Sequence, residues 1–324
     1  MKIGVLGAGA WGTALAQVSA AGGETLLWAL EPEVAEAINR DHVNPLYLPD
    51  VALSPTIAAT SDLSALAVCD ALLVVTPAQH LRAILARAEV GSRPLVLCAK
   101  GLEAGSMALM SEAAAQACPD APIAVLSGPT FAIEVARGLP TAVTLACEDA
   151  ALAELLAARI AQPHFRPYTS ADVIGAEVGG AIKNVLAIGC GVVEGAGLGR
   201  NARAALIARG FAEMTRFGLA RGARPETLAG LAGLGDLVLT CSSEQSRNFS
   251  LGLGLGRGEP AAVLLADRRT VAEGAFTAPV LVEAARKAEI EMPIVEAVAA
   301  LIAGRVTIAD TVAALLARPL RSEA

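Results

Sequence analysis

Histidine is scarce in this 324-residue chain: His42, His80 and His164 stand far apart and share no local motif. The six cysteines, Cys69, Cys98, Cys118, Cys147, Cys190 and Cys241, form no CxxC pair and have no histidine-rich partner segment. Neither set has metal-ligand spacing, so no metal is expected, and the cysteines read as reduced, mostly buried thiols. Long basic clusters are also missing. Against 32 acidic residues stand 25 Lys and Arg, a formal charge of −7. That balance argues against a nucleic-acid partner, though not against an anionic substrate held by a few convergent cations. No apolar run reaches membrane-spanning length; between the charges of Lys183 and Glu194 lie only the ten residues Asn184–Val193. With no apolar leader behind basic residues, the expectation is a cytoplasmic protein without stable membrane insertion.

What the chain has in quantity is apolar residues, 54%, enough for two packed domains at this length. The first half alternates strand and helix. Strand patterns KIGVLGAG, ETLLWAL, DALLVVTP, RPLVLCAK, APIAVLSGP and TAVTLAC are separated by helical ones at 11–23, 32–39, from about 79, near 107–117 and at 130–138. Residues 42–56, with Pro45 and Pro49, read as irregular. Such alternation implies a mostly parallel, doubly wound Rossmann-type sheet covered on both faces. After FRPYTS the strand signals stop, and helical patterns cover 171–193, 200–220, 225–231, 247–257, 274–288, 293–303 and 307–317. The expected division is a dinucleotide-binding domain over 1–170 and an all-α substrate and catalytic domain over 171–324.

The first strand runs into Gly7-Ala8-Gly9-Ala10-Trp11-Gly12, a GxGxxG turn opening a helix. The first glycine makes the turn, the second admits a pyrophosphate, and the third lets helix and strand pack closely. Alone the pattern is weak, but here strand, helix and second strand follow in the required order. Glu31, about 20 residues past the last motif glycine, stands where a carboxylate binds the adenosine ribose hydroxyls. It would repel a 2′-phosphate, so NAD(H) is favoured over NADP(H).

One residue breaks the pattern of the second half. In AEVGGAIKNVLAIGCGVV, Lys183 is the lone charge between Glu177 and Glu194 on a helix of buried character. An unpaired buried ammonium is costly or loses its proton, and a lysine with lowered pKa can exchange the proton that accompanies hydride transfer. The bland alternative is a lysine that snorkels or pairs with a carboxylate. Other fragments favour the chemical reading. Lys100 ends a strand in CAKGLE, and Ser127-Gly128-Pro129-Thr130 ends the next. Asp236 and Thr240 lie one helical turn apart if their segment is helical. Ser246-Arg247-Asn248 precedes a helix, where a guanidinium, an amide and free N–H groups would meet an anion. Together these suit a small phosphorylated carbonyl compound held beside a nicotinamide.

The motifs GAGAWGTALA, NPLYLP at 44–49, AKGLE, LSGPTFAIEV, GGAIKNVLAIG, GLGDLVLTCSS, SRN and VAEGAFTA, in that order along nearly the whole chain, resemble the bacterial-type NAD(P)-dependent glycerol-3-phosphate dehydrogenases. The resemblance implies interconversion of dihydroxyacetone phosphate and sn-glycerol 3-phosphate, feeding glycerophospholipid synthesis. It implies Lys183 as proton donor and acceptor, supported by Lys100 and Asp236. Substrate contacts would be Lys100, Gly128, Thr130, Lys183, Asp236, Ser246, Arg247 and Asn248. Cofactor contacts would be Gly7, Gly9, Ala10, Trp11, Gly12, Glu31, Lys100, Ala132, Arg247, Val271 and Glu273. Ala10 replaces a serine common in the family, and Leu30-Glu31 replaces basic residues common at that strand tip, which turns against NADP. A dehydrogenase of 3-hydroxy acids and a silent nucleotide sensor are the rival readings. The alanine-rich helices of the second half would suit a homodimer interface or the domain core equally.

Overall fold

The computed structural model describes residues 1–266 and 272–317. Eight strands form one sheet in the order β3-β2-β1-β4-β5-β6-β7-β8. They are β1 (Ile3–Leu6), β2 (Thr25–Trp28), β3 (Ile57–Thr60), β4 (Ala71–Val74), β5 (Leu95–Leu97), β6 (Ile123–Ser127), β7 (Thr141–Cys147) and β8 (Phe165–Ser170). All neighbours pair in parallel except β6 and β7, which run antiparallel with Ser127 opposite Thr144. The helices among them are α1 (Ala10–Ala20), α2 (Pro32–Asp41), α3 (Leu81–Leu85), α4 (Met110–Ala117), α5 (Ala132–Ala136) and α6 (Ala150–Ile160). Both faces of the central strands are apolar. Ile3, Val5, Leu73 and Val96 pack on one side with Leu15, Val34 and Leu156, while Leu6, Leu72, Val74 and Leu97 pack on the other with Leu81, Leu85 and Ala114. This is the doubly wound sheet expected of such near-continuous hydrophobic strands.

Two elements have no counterpart in the sequence pattern. Residues 42–56 lead into β3, whose IAAT has only one fully buried side chain, Ile57, and so little hydrophobic signal at the sheet edge. Helix α6 begins at Asp149, whose side chain caps the N–H groups of Ala151 and Leu152, but its AALAELLAARI lacks strong amphipathic contrast.

From Val173 onward the described chain is helical: α7 (Val173–Gly195), α8 (Arg200–Ala220), α9 (Pro225–Leu228), α10 (Asp236–Thr240), α11 (Arg247–Gly256), α12 (Ala261–Leu264), α13 (Glu273–Lys287), α14 (Pro293–Ile302) and α15 (Ile308–Leu316). A π-helical turn over Leu231–Gly235 leads into α10. α7 is the axis of this half, with every residue from Gly175 to Val193 buried. Its 23 residues are long and apolar enough to cross a membrane by length and composition, which corrects the sequence expectation, yet 89% of its most apolar window is buried inside the fold. Buried Lys183 interrupts the apolar count in sequence without exposing the helix.

Glycines let α7 be buried so completely. A Cβ on Gly191 would stand 2.1 Å from the Phe249 carbonyl oxygen, and one on Gly252 2.0 Å from that of Ile188, so α7 and α11 touch backbone to backbone. On the opposite side a Cβ on Gly179 would lie 2.3 Å from the Ala232 oxygen. Gly252→Ala is therefore expected to force the helices apart and lower unfolding free energy by ~1–3 kcal/mol. Urea denaturation measures this; wild-type stability would show that the contact yields without cost.

Candidate active site

The turn after β1 is built for a diphosphate. Gly7 has φ of +123°, a conformation that side-chain-bearing residues rarely adopt. A Cβ on Gly12 would fall 1.8 Å from the Gly7 oxygen, so α1 seats directly on the turn. Around Gly9 a Cβ would meet nothing within 4 Å, leaving open space over the start of α1. Gly9 caps that helix without a side chain, so the first N–H groups of α1 stay available to an anion. β1 lies between β2 and β4, where the strand order reverses, the usual crevice for a dinucleotide. These residues fit such a cofactor.

Segment 44–49, whose role was not legible in sequence, braces this turn. Fully buried Asn44 donates through Nδ2 to the Ala8 carbonyl at 2.8 Å and to Thr13 Oγ1 at 2.8 Å, and accepts from the Tyr47 N–H at 3.1 Å. Tyr47 Oη donates to Glu31 Oε1 at 2.9 Å. The carboxylate at the tip of β2 is thus held in place rather than swinging in solvent.

Further along the same sheet edge, charges converge. Lys100 stands three residues past β5; its Nζ donates to Asp236 Oδ2 at 2.6 Å and to the Gly128 carbonyl at 3.4 Å. Lys183 Nζ donates to Asp236 Oδ1 at 2.7 Å and to Thr240 Oγ1 at 2.9 Å. Asp236 is fully buried and opens α10, which puts it beside Thr240 one turn later. One carboxylate therefore bridges two ammonium groups from different halves of the chain. Close approach again rests on glycine: a Cβ on Gly180 would lie 3.2 Å from both Lys100 Cγ and Ser127 Oγ. Burial, the largest effect, pulls the Lys183 ammonium down to about 8; Asp236 opposes the fall and Lys100 reinforces it. An amine with such a value holds or yields a proton near neutrality.

Beside this triad, Trp11, Lys100, Ser127, Gly128 and Thr130 line one narrow cleft. Thr130 Oγ1 donates to the Gly128 carbonyl at 3.3 Å. Ser127 Oγ is buried with no hydrogen-bond partner among the described residues, a polar atom left over in the cleft it lines with Lys100. Ala132 opens α5, the helix packed against α1. Ser246 caps α11 by accepting from the Phe249 N–H at 3.2 Å, and Arg247 at its first position is exposed. Asn248 is engaged differently from the sequence expectation of a free amide. It donates to Asn184 Oδ1 at 3.0 Å and accepts from the Gly274 N–H at 2.9 Å, tying α11 and α13 to the residue after Lys183. Burial raises the Glu273 carboxyl, while Arg247, an N–H bond from Ala78 and both lysines counter it. Val271 lies outside the described residues.

Comparisons with known proteins agree with this geometry. The family model of the NAD-dependent glycerol-3-phosphate dehydrogenase N-terminus matches residues 2–153, and that of the C-terminus matches residues 172–313. The glycerol-3-phosphate dehydrogenase (NAD(P)+) 1 of Sphingopyxis alaskensis is 63% identical over 323 residues, spanning 99% of this chain and 98% of that one. The corresponding protein of Caulobacter vibrioides is 61% identical over 327 residues, 100% and 99% of the two chains. A crystal structure of glycerol-3-phosphate dehydrogenase from Coxiella burnetii superposes with a TM-score of 0.93 at 39% identity, covering 98% of this chain and 99% of that one.

The bridged triad has a consequence for stability. Asp236→Asn leaves the buried Lys183 ammonium and the half-buried Lys100 facing a neutral amide, at an expected cost of ~3–5 kcal/mol near neutral pH. Between the folded value of Lys183, about 8, and its ordinary 10.5, the unfolded chain binds the proton that the folded one has lost. Stability then rises with pH across that window, more steeply in the variant, where the folded value falls further. Urea unfolding across this range tests it. A deficit that stays constant with pH would mean Asp236 does not set the charge of Lys183.

Proposed function

The chain belongs to the NAD-dependent glycerol-3-phosphate dehydrogenase family, and from that premise we propose how its residues divide the work. The enzyme interconverts dihydroxyacetone phosphate and sn-glycerol 3-phosphate with NAD(P)(H). The bound nicotinamide supplies or accepts the hydride. Lys183 gives a proton to the ketone oxygen during reduction and takes it back from the alcohol during oxidation. The observation that carries this assignment is the Lys183–Asp236–Lys100 bridge, in which burial brings Lys183 down to about 8. Asp236 holds Lys183 in register with Thr240, and Lys100 stands beside it where the substrate oxygen would gain a second N–H donor.

In this reading the substrate occupies the space between Gly128, Thr130 and the triad, with Arg247 and the start of α11 at its phosphate end. Ser246 shapes that helix start, and Asn248 acts by fixing α11 against Asn184. Remote binding of the phosphate then becomes orientation at the reacting carbon. Gly7, Gly9, Ala10, Trp11 and Gly12 would hold the pyrophosphate end of the cofactor, and Ala132, Lys100, Arg247 and Glu273 the nicotinamide end; Val271 is carried by resemblance alone. Residues 1–170 would serve as the cofactor domain and 171–324 as the substrate domain. We place the enzyme in the cytoplasm, with its product entering glycerophospholipid assembly.

The tip of β2 favours NAD over NADP. Glu31, held by Tyr47, presents a carboxylate to the ribose hydroxyls and opposes a 2′-phosphate.

Two measurements test these readings. Lys183→Ala should lower kcat by roughly 10²- to 10⁴-fold while NADH still binds with near wild-type Kd. In the wild type, reduction should weaken and oxidation strengthen as pH rises through about 8, the folded value of Lys183; near-normal turnover by the variant would overturn the assignment. Separately, oxidation of NADH should outpace that of NADPH. Tyr47→Phe should narrow the ratio by about fivefold, the equivalent of one ~1 kcal/mol hydrogen bond. NADPH turnover at least as fast as NADH would end the Glu31 argument.

A further inference from the structure

The two lysines of the triad reach Asp236 from different places: Lys183 along α7, Lys100 from the segment after β5. The sheet releases that segment early; its turn is held from the β4 side by Gln79, bonded to Leu102 and Ala104, and by Arg82, paired with Glu103, while its far end is held from α7. Cys98 is its last ladder residue, donating to the Val74 carbonyl at 2.9 Å, and the chain then leaves the sheet through Gly101, with φ of +157°. From there it folds on itself. Leu102 and Leu109 form an isolated bridge, and the Glu103 N–H donates to the Ala108 carbonyl at 2.9 Å. Both leucines are buried in the core of the helical half, among Val178 and Ile182 of α7. Lys100 therefore rides on a closed loop whose far end is the start of α4.

A buried carboxylate grips that end. Glu177, six residues before Lys183 on α7 and 6% exposed, accepts from the Ser111 N–H at 2.8 Å and from Ser111 Oγ at 2.5 Å. Both of its oxygens are used, and both donors belong to one residue in the first turn of α4. Beside it, Arg221 after α8 donates to Glu112, whose Oε2 also accepts from the Leu109 N–H at 2.7 Å. Burying Glu177 is unfavourable: desolvation lifts its carboxyl to about 7 despite the two Ser111 bonds, with Glu112 adding to the rise and Arg221 opposing it. A group kept at such a cost, and outside the reacting cluster, has a positional use to account for it.

We propose that Glu177 is a positioning residue: by clamping Ser111 it fixes the Lys100 loop against α7, and so sets the Lys100–Asp236–Lys183 spacing on which proton transfer depends. The idea rests on the assignment of Lys183 as the proton carrier. The groups facing Lys183 are Asp236 and Thr240 of α10, Lys100 of the loop, Cys241 after α10 and, more remotely, Glu273 of α13. Only Lys100 is reached through the clamp. Loosening it lets Lys100 drift from Asp236, which removes a nearby cation from Lys183 and leaves the carboxylate to Lys183 alone. Both changes raise the proton affinity of Lys183.

The test is a comparison of Glu177→Ala, Glu177→Gln and Ser111→Ala by steady-state kinetics across pH, each corrected for folded fraction. Glutamine can still accept from the Ser111 N–H and can donate to its hydroxyl, so Glu177→Gln should keep kcat and pH midpoint near wild type. Glu177→Ala should lose roughly 10- to 100-fold in kcat with little change in KM for NADH. Its midpoint should move up from the wild-type step by ~0.5–1 unit. Ser111→Ala, which keeps the backbone bond, should shift the same way by less, and it serves where Glu177→Ala folds poorly. Alanine variants with wild-type kcat and midpoint on the folded fraction would overturn the proposal, and so would a Glu177→Gln variant as impaired as Glu177→Ala. A wild-type profile without a step near 8 would instead sink the Lys183 assignment, leaving the kcat comparison to decide Glu177.

Discussion

A single buried carboxylate shared by two ammonium groups, one buried and one half-buried, is the interaction on which this structure turns. Asp236 has no exposure, and its two oxygens are spent on Lys100 and Lys183. Such a cluster is not a stability device, because desolvating three charges offsets most of what their attraction returns. It carries a net positive charge inside the protein, waiting for an anion. Under the proposed assignment, the oxyanion developing on the substrate as hydride arrives would be met by two N–H donors that already stand beside one another. The cost of the cluster is borne in the resting protein, and its benefit is realised only when that charge develops.

Keeping the cluster together demands unusual closeness among main chains. α7 touches the π-helical turn through Gly179 and α11 through Gly191, at distances that no Cβ would allow, and meets the Lys100 side chain closely through Gly180. The absence of side chains on one helix is therefore what lets one lysine on it count. The same helix carries Glu177 towards α4 and Asn184 towards Asn248, so it works as a rigid beam with polar fittings at set heights.

Much of this was legible in the residues themselves. Lys183 announced itself because a lone charge in an apolar helix must be either paired or functional, and it proves paired within a polar cluster at a crevice. The three glycines of the first turn differ sterically: Gly7 has a positive φ, Gly9 faces open space and Gly12 packs on the Gly7 carbonyl. Parallel strands with apolar faces were equally readable. Other features were not. β3 has a weak pattern because an edge strand buries little, and α6 because alanine on all sides blurs amphipathic contrast. Asn44, Tyr47 and Ser111 gave no local signal, since their importance lies in partners 16 to 66 residues away. Asn248 is the converse: its motif was visible in sequence, but its bonds to Asn184 and Gly274, which use one donor and the acceptor, were not.

The position of Lys183 on the proton scale decides what kind of catalyst this can be. Left in water at its ordinary 10.5, the ammonium would hold its proton too firmly to serve as a base for alcohol oxidation. Buried without Asp236, it would lose the proton and could not act as the acid for ketone reduction. Desolvation and Lys100 push one way, Asp236 the other, and the balance at about 8 leaves both forms accessible near neutrality. Under the proposed assignment, one amine serves both directions because of the opposed charges around it. A change at any member of the cluster would then move the pH range over which each direction is catalysed, leaving the equilibrium between them untouched.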